Sequence, residues 1–311
     1  MPDNEIYDLI IIGGGPGGFT AGIYAMRSAL KTILFEKRAS GGQMINAGEI
    51  ENWPGIEKIN GPELSANFFR HADSYGLETK SEEIVAVKPG SDLNSVYLAD
   101  GTILQAYAVI LGTGGKPKKL NISGEDEYYG KGVSYCAVCD GFFFKNKTVV
   151  VAGGGDTAAE ESLYLAKLAK QVYLAHRRDT LRAGMILQKR VKEEKKIKIL
   201  WNTVLTGIKA DLFAGVNQVD MKDTQTGEEQ SLPVDGVFVF IGFEPENKLV
   251  PEGMKLSKNG YVITDEKCET SIPGIYAIGD LRKKYARQII TAAADGATAA
   301  LAAAQYVERK K

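Results

Sequence analysis

Tyr7-Asp8-Leu9-Ile10-Ile11-Ile12-Gly13-Gly14-Gly15-Pro16-Gly17-Gly18 decides the fold of this 311-residue chain. Tyr7 to Ile12 is a short, β-branched apolar run, as expected of a buried parallel strand. After the glycines, Phe19 to Ser28 reads as a helix and Lys31 to Phe35 as a second strand, ended by Glu36. Gly13, Gly15 and Gly18 fit G-x-G-x-x-G. The first glycine permits a tight turn, the second lets backbone approach a pyrophosphate, and the third lets helix pack on strand. The phosphate charge then sits at the helix N-terminus, where free N–H groups and the dipole favour it. Glu36 lies 18 residues past Gly18, where a carboxylate can accept hydrogen bonds from a ribose.

The same order returns about 140 residues later. Thr148 to Val151 reads as a strand, and Gly153-Gly154-Gly155-Asp156-Thr157-Ala158 as the turn. Ala159 to Lys170 is a helix, and Gln171 to Ala175 a strand ending at His176. This is a duplication of one βαβ unit, not a short-period array. Gly153, Gly155 and Ala158 fit G-x-G-x-x-A. Eighteen residues past Ala158 stand His176, Arg177 and Arg178, with Arg182 one turn on. A carboxylate there would repel a 2′-phosphate, whereas guanidinium groups fork onto it. The first loop suits an unphosphorylated ribose and the second suits NADPH.

Composition narrows the class. Hydrophobic residues are 44% and charged residues 25%, enough apolar material for a large core and far from disorder. Lys plus Arg total 38 against 39 Asp plus Glu, so net charge makes no case for nucleic acid or an anionic membrane. Three cysteines cannot build a secreted disulfide framework, which points to a reducing, cytoplasmic setting. The start Met1-Pro2-Asp3-Asn4-Glu5 is acidic where a signal peptide is basic, and no apolar run approaches the ~20 residues of a membrane span.

Between the two units Ile84 to Val87, Ser95 to Leu98 and Ala108 to Leu111 read as strands, with Ala99 to Thr102 as a hairpin turn. Gly112 to Pro117 and Gly242 to Asn247, the latter closing an apolar strand Val234 to Ile241, are the candidate linkers. They divide the chain at 1–116, 117–245 and 246–311, with the middle part inserted. Lys189 to Lys198 reads as a solvated helix face, and His71 as a surface or cap residue in the Pro62 to Tyr75 helix. Cys136-Ala137-Val138-Cys139-Asp140 is C-x-x-C with an acidic neighbour. Such a pair closes a small disulfide or ligates a metal. Zinc needs four ligands, and only Cys268, His71 and His176 remain. A redox-active disulfide is favoured, since two dinucleotide sites supply the electrons it needs. Cys268 reads as an inert core thiol in a strand.

Together these residues resemble low-molecular-weight thioredoxin reductases of the NADPH:FAD disulfide oxidoreductase type. The resemblance runs nearly the full length. It is carried by Gly13 to Gly17, Gly41-Gly42-Gln43, Glu51-Asn52-Trp53-Pro54-Gly55 and Cys136 to Phe143. Gly153 to Ala158, His176 to Asp179, Gly274 to Asp280 and Arg287-Gln288 complete it. It implies an α/β fold of two Rossmann-like three-layer (ββα) domains, with the NADPH domain inserted into the FAD domain. It implies a homodimer, thioredoxin as protein substrate, and no nucleic acid, membrane or metal partner. On the FAD side it implies Pro16, Gly41, Gly42, Gln43, Asn52, Asp280, Arg287, Gln288 and Ile289, besides Gly13, Gly15, Gly18 and Glu36. The helix from Ile289 would aim its N-terminus at the flavin ring. On the NADPH side Asp156 and Thr157 join Gly153, Gly155, Ala158, His176, Arg177, Arg178 and Arg182.

The resemblance also implies that electrons pass from NADPH through FAD to Cys136 and Cys139. Cys139 would lie next to the flavin, Cys136 would attack thioredoxin, and Asp140 would be the acid-base group. The inserted domain would rotate on its linkers between half-reactions. Rival readings are a reductase of another dithiol carrier, a dithiol oxidase, a ferredoxin-fed enzyme and an NADPH-sensing metal-binding protein. The chain departs from the pattern at Gly112-Thr113-Gly114-Gly115, where Ala-Thr-Gly-Ala is usual. It departs again at the basic Leu281-Arg282-Lys283-Lys284, a surface expected to alter partner choice. Asp295 and Gly296 are expected to interrupt the Ala-rich helix that follows.

Overall fold

The computed structural model describes residues 6–37, 40–47, 49–50, 52–211 and 215–311. The acidic start Met1 to Glu5, and Glu51 of the Glu51 to Gly55 motif, lie outside the described residues. The chain divides into two compact units. The first comprises Met1–Ala47, Trp53–Lys116 and Glu244–Lys311; the second comprises Gly48–Asn52 and Pro117–Phe243.

In the first unit the strand Ile6–Ile12 runs parallel to Thr32–Phe35 on one side and to Ile103–Leu111 on the other. Its apolar run suits this central place, where both faces are buried. Glu78–Lys80 extends the sheet beyond Thr32–Phe35, also in parallel. Ile103–Leu111 is longer than the sequence suggests because it has two partners. Its first half pairs antiparallel with Asn94–Leu98, and its last residues pair parallel with Ile275–Ala277. Ile84–Lys88 completes the hairpin layer. Side chains alternate across the sheet. Ile10, Ile12, Ile33, Phe35, Val109 and Leu111 share one buried cluster with Val96 and Leu98 of the hairpin. On the helical side, the helices Pro16–Arg27 and Ile289–Lys310 meet so closely that a Cβ at Gly296 would lie 2.0 Å from the Gly17 carbonyl oxygen.

The second unit repeats the plan. Its parallel sheet runs Val133–Ser134, Gly236–Phe240, Thr148–Gly153, Gln171–Ala175, Ile197–Leu200. One face, through Val149, Val151, Val172, Leu174 and Phe238, packs on Ala158, Ala159 and Leu165 of helix Asp156–Leu168. The other face, through Val150, Ala152, Val237 and Val239, packs on Leu205, Val219 and Met221. Those three belong to an antiparallel sheet of Thr203–Asp211, Gly215–Asp223 and Glu229–Pro233. The two chain crossings, Gly115–Pro117 and Phe243–Pro245, pair with each other.

Several local expectations change. The two dinucleotide helices begin earlier, at Pro16 and Asp156, because Gly15 and Gly155 already serve as their N-caps. The charged run does not form one helix through Lys198. Helix Met185–Glu193 ends, and Ile197–Leu200 joins the parallel sheet, its Ile197 buried. Cys268 is 1% exposed but is not in a strand; its φ of 64° places it in a left-handed turn. Asp295 and Gly296 do not interrupt the last helix, which is continuous from Ile289 to Lys310. No helix among the described residues is long and apolar enough to cross a membrane.

Candidate functional site

In the first glycine loop, neighbouring atoms crowd every glycine except Gly15. Gly13 has φ 110°, and a Cβ there would lie 2.3 Å from the Gly112 carbonyl oxygen. A Cβ at Gly18 would lie 1.8 Å from the Gly13 carbonyl oxygen. Gly15 has nothing within 4 Å of the same position. The backbone is therefore open at the helix N-terminus, where Pro16 takes a first-turn place that needs no N–H. The Gly14 N–H donates to Glu36 Oε2 at 2.7 Å, which fixes the carboxylate beside the opening.

The Gly41 N–H donates to the Gly14 carbonyl at 2.8 Å, and Gly42 abuts Gly15. Gln43 Nε2 donates to the Gly115 carbonyl at 3.1 Å. The Ile278 side chain lies against Gly17 and Gly112, which brings the Gly279-Asp280 turn toward the same loop. Burial pushes the Asp280 carboxyl above its ordinary value, while Lys284 and Arg287 pull it back. The Arg287 guanidinium lies 4.3 Å from the centre of the Tyr261 ring. Gln288 caps the last helix, its N–H donating to Thr291 Oγ1 at 3.1 Å, and Ile289 is the first helical residue. Asn52 is exposed and falls in the short segment that belongs to the second unit.

The second loop is built alike. A Cβ at Gly153 would lie 2.6 Å from the Phe240 carbonyl oxygen, Ala158 is fully buried, and Gly155 is open. Asp156 Oδ1 accepts the Gly184 N–H at 2.7 Å, and Thr157 is exposed in the first turn. The carbonyl of Gly154 accepts the Arg182 N–H at 2.7 Å, so the cationic segment folds back onto the glycine loop. Arg177, Arg178 and Arg182 are exposed. His176 is not; it is 4% exposed, with Nδ1 2.9 Å from the Gly153 carbonyl and Nε2 3.0 Å from the Thr180 carbonyl. Burial holds its pKa below the ordinary value, with Arg182 and Arg178 acting in the same direction. The ring braces the loop from beneath while the three guanidiniums face outward. Both loops thus offer an open backbone at a helix N-terminus, which fits the pyrophosphate of FAD and of NADPH.

The cysteines lie in the second unit. Cys136 and Cys139 form a disulfide, with an S–S distance of 2.08 Å and Cα atoms 5.3 Å apart. The short helix Ala137–Asp140 places them, with Cys136 as N-cap. The Cys139 N–H points to Cys136 Sγ at 3.2 Å. Ser134, absent from the sequence reading, organises the pair. Its Oγ accepts the Cys136 N–H at 3.0 Å and donates to Asp140 Oδ2 at 2.5 Å. Burial pushes the Asp140 carboxyl up and the Ser134 hydroxyl pulls it partly down. A raised carboxyl keeps its proton at higher pH and can deliver it to a sulfur. Glu161 was also missed. Burial raises its pKa, the Ala137 and Val138 amides pull it partly back, and Oε2 is buried with no hydrogen-bond partner among the described residues. Ser134 stands only two residues before Cys136 but fits no motif, and Glu161 reaches this segment from the helix Asp156–Leu168. Val138 and Phe142 are exposed at 44% and 55%, an apolar surface beside the sulfurs. Among the described residues no group of three or more His, Cys, Asp or Glu could hold a metal.

Comparison with known proteins places this arrangement. The family model of pyridine nucleotide-disulphide oxidoreductases matches residues 7–296. The chain is 45% identical over 308 residues to a thioredoxin reductase of Bacillus subtilis, covering 99% of this chain and 97% of that one. It is 43% identical over 304 residues to that of Treponema pallidum, covering 97% of each. The crystal structure of thioredoxin reductase from Streptococcus pyogenes superimposes with a TM-score of 0.94 at 41% identity, over 99% of this chain and 100% of that one. The thioredoxin reductase of Giardia duodenalis gives 0.92 at 35%, over 98% and 99%.

Proposed function

Because this chain belongs to the pyridine nucleotide-disulphide oxidoreductase family, we propose that it reduces the disulfide of a thioredoxin with electrons from NADPH, as a homodimer. The first unit takes FAD at Gly13, Gly15, Gly18 and Glu36, with Asp280 on the flavin side. The second takes NADPH, with Arg177, Arg178 and Arg182 for the 2′-phosphate. The observation that supports this reading most is the Cys136–Cys139 disulfide beside a buried, Ser134-bonded Asp140, on a chain with two open dinucleotide loops.

When bound, NADPH and FAD supply the electron pair that opens the disulfide. The chain's own residues do the exchange. Asp140 hands its proton toward one sulfur and recovers it as the cycle closes. Cys136, as thiolate, attacks the carrier disulfide to form a mixed disulfide. Cys139 then displaces the carrier, which leaves with two electrons and two protons, and the Cys136–Cys139 bond re-forms. Val138 and Phe142 give a protein partner an apolar surface next to the attacking sulfur.

The test is NADPH oxidation with a panel of oxidised carrier proteins. The purified protein is expected to be yellow, to carry about one FAD per chain, and to turn over fastest with a thioredoxin. A protein that takes up no FAD, or a panel in which another carrier is preferred, would overturn the reading.

A further inference from the structure

The basic run Leu281-Arg282-Lys283-Lys284 is not a charged surface. Lys283 is exposed, but the side chains of Arg282 and Lys284 are only 14% and 10% exposed. Both turn to one carboxylate. Arg282 Nη1 donates to Asp295 Oδ1 at 2.8 Å, and Lys284 Nζ donates to Asp295 Oδ2 at 2.7 Å. Asp295 Oδ2 also accepts the Gly279 N–H at 3.0 Å. Asp295 is 12% exposed and lies on the last helix, one residue before the Gly296 that presses on Gly17. The helix is thereby held between the dinucleotide loop on one side and residues 279–284 on the other.

The charges do not cancel. Two cations share one anion in a site with little solvent, and a buried charge without a partner is expensive. Arg282 has other partners. Nη1 lies 2.9 Å from Cys268 Sγ, and Nη2 donates to the Asp265 carbonyl at 3.0 Å. The only hydrogen bond of the Lys284 ammonium among the described residues is to Asp295. Asp280, next to the Gly279 whose N–H Asp295 accepts, feels Lys284, Arg287 and Asp295. If Asp295 were neutral, Lys284 would find its counter-ion in Asp280.

We propose that Asp295 is a positioning residue of the flavin site, holding Lys284 off Asp280 and anchoring the Gly279 amide, so that the Asp280 carboxylate stays free for the flavin. This rests on the reading of Asp280 as a flavin-side residue. Lys284 is then a latent competitor for Asp280, and the cost of losing Asp295 depends on whether that lysine is present.

The experiment titrates FAD into protein stripped of FAD, following quenching of flavin fluorescence and the visible absorbance of the bound ring. Uptake by the wild-type protein tests the site itself, independently of Asp295. Asp295→Asn is expected to bind FAD at least about tenfold more weakly, the order expected when a buried ion pair loses one partner. Asp295→Asn combined with Lys284→Met is expected to regain most of that loss, within about threefold of wild type, because no lysine remains to capture Asp280. A brace without this role predicts the opposite, since the second substitution would only loosen the turn further. Unchanged FAD affinity in Asp295→Asn, or no recovery in the double variant, overturns the proposal. Should the single variant fail to fold, the double variant carries the test alone, and FAD affinity far below wild type in it also overturns the proposal.

Discussion

Asp140 and Ser134 form the smallest unit on which the chemistry depends. The Asp140 carboxyl is raised by burial and lowered by the Ser134 hydroxyl. Removing that hydroxyl removes the interaction that favours the charged form, so the pKa climbs further. Ser134→Ala is therefore expected to move the high-pH limb of carrier reduction to still higher pH, measured as kcat/KM against pH. Asp140→Asn, which cannot give up a proton, is expected to lower the exchange rate about 100-fold and to abolish that limb, the usual weight of a general acid. The same group bears on stability. A carboxyl whose folded pKa lies above its unfolded value binds more protons when folded, so its contribution falls as pH rises from about 3.8 toward the folded value. Arg177 and Arg178 are exposed and unburdened by a packing role. Replacing both with Ala is expected to raise KM for NADPH tenfold or more while leaving KM for NADH nearly unchanged, since each charge-assisted contact to a phosphate contributes about 1.5–3 kcal/mol. An intact coenzyme preference in that variant rules out the 2′-phosphate assignment.

At the scale of elements, the last helix holds the flavin-side unit together. Gly296 lets Ile289–Lys310 lie against the backbone of Pro16–Arg27; a Cβ would meet the Gly17 carbonyl oxygen at 2.0 Å. Gly296→Val is expected to cost about 1–3 kcal/mol or more by overpacking. That corresponds to a loss of several degrees in Tm, read by thermal unfolding, with FAD uptake weakened because Pro16–Arg27 carries the loop. The disulfide segment works differently. Ala137–Asp140 is a single turn, too short to be stable alone. It is held by fully buried Ala137 in the helix-side core and by Ser134 at its start.

For the whole molecule, each unit has its own core and its own glycine loop. Ligands that bind only the folded form protect the segment they touch. In amide exchange, FAD is expected to slow exchange at Gly13 to Gly18 and Gly279 to Asp280, and NADP⁺ to slow it at Gly153 to Ala158 and Arg177 to Ala183. NADP⁺ protection centred on the first loop instead would reverse the assignment of the two units.

Both glycine loops, Glu36, the arginines at 177, 178 and 182, and the C-x-x-C pair could be read from the chain itself. Each is a local pattern in which backbone geometry or charge acts within one βαβ unit or one turn of chain, so spacing along the sequence carries over into space. The strands at Tyr7 to Ile12 and Thr148 to Val151 could also be read, because buried parallel strands are apolar throughout. What the sequence could not carry were relations between distant segments. Ile103–Leu111 is long only because two different strands meet it. His176 reads as one of a row of cations, yet it is buried between two carbonyls while its neighbours face outward. Lys284 and Arg282 read as a basic surface, yet they turn inward to Asp295. Burial and counter-ions are set by which segments pack together, and the tertiary structure alone decides that.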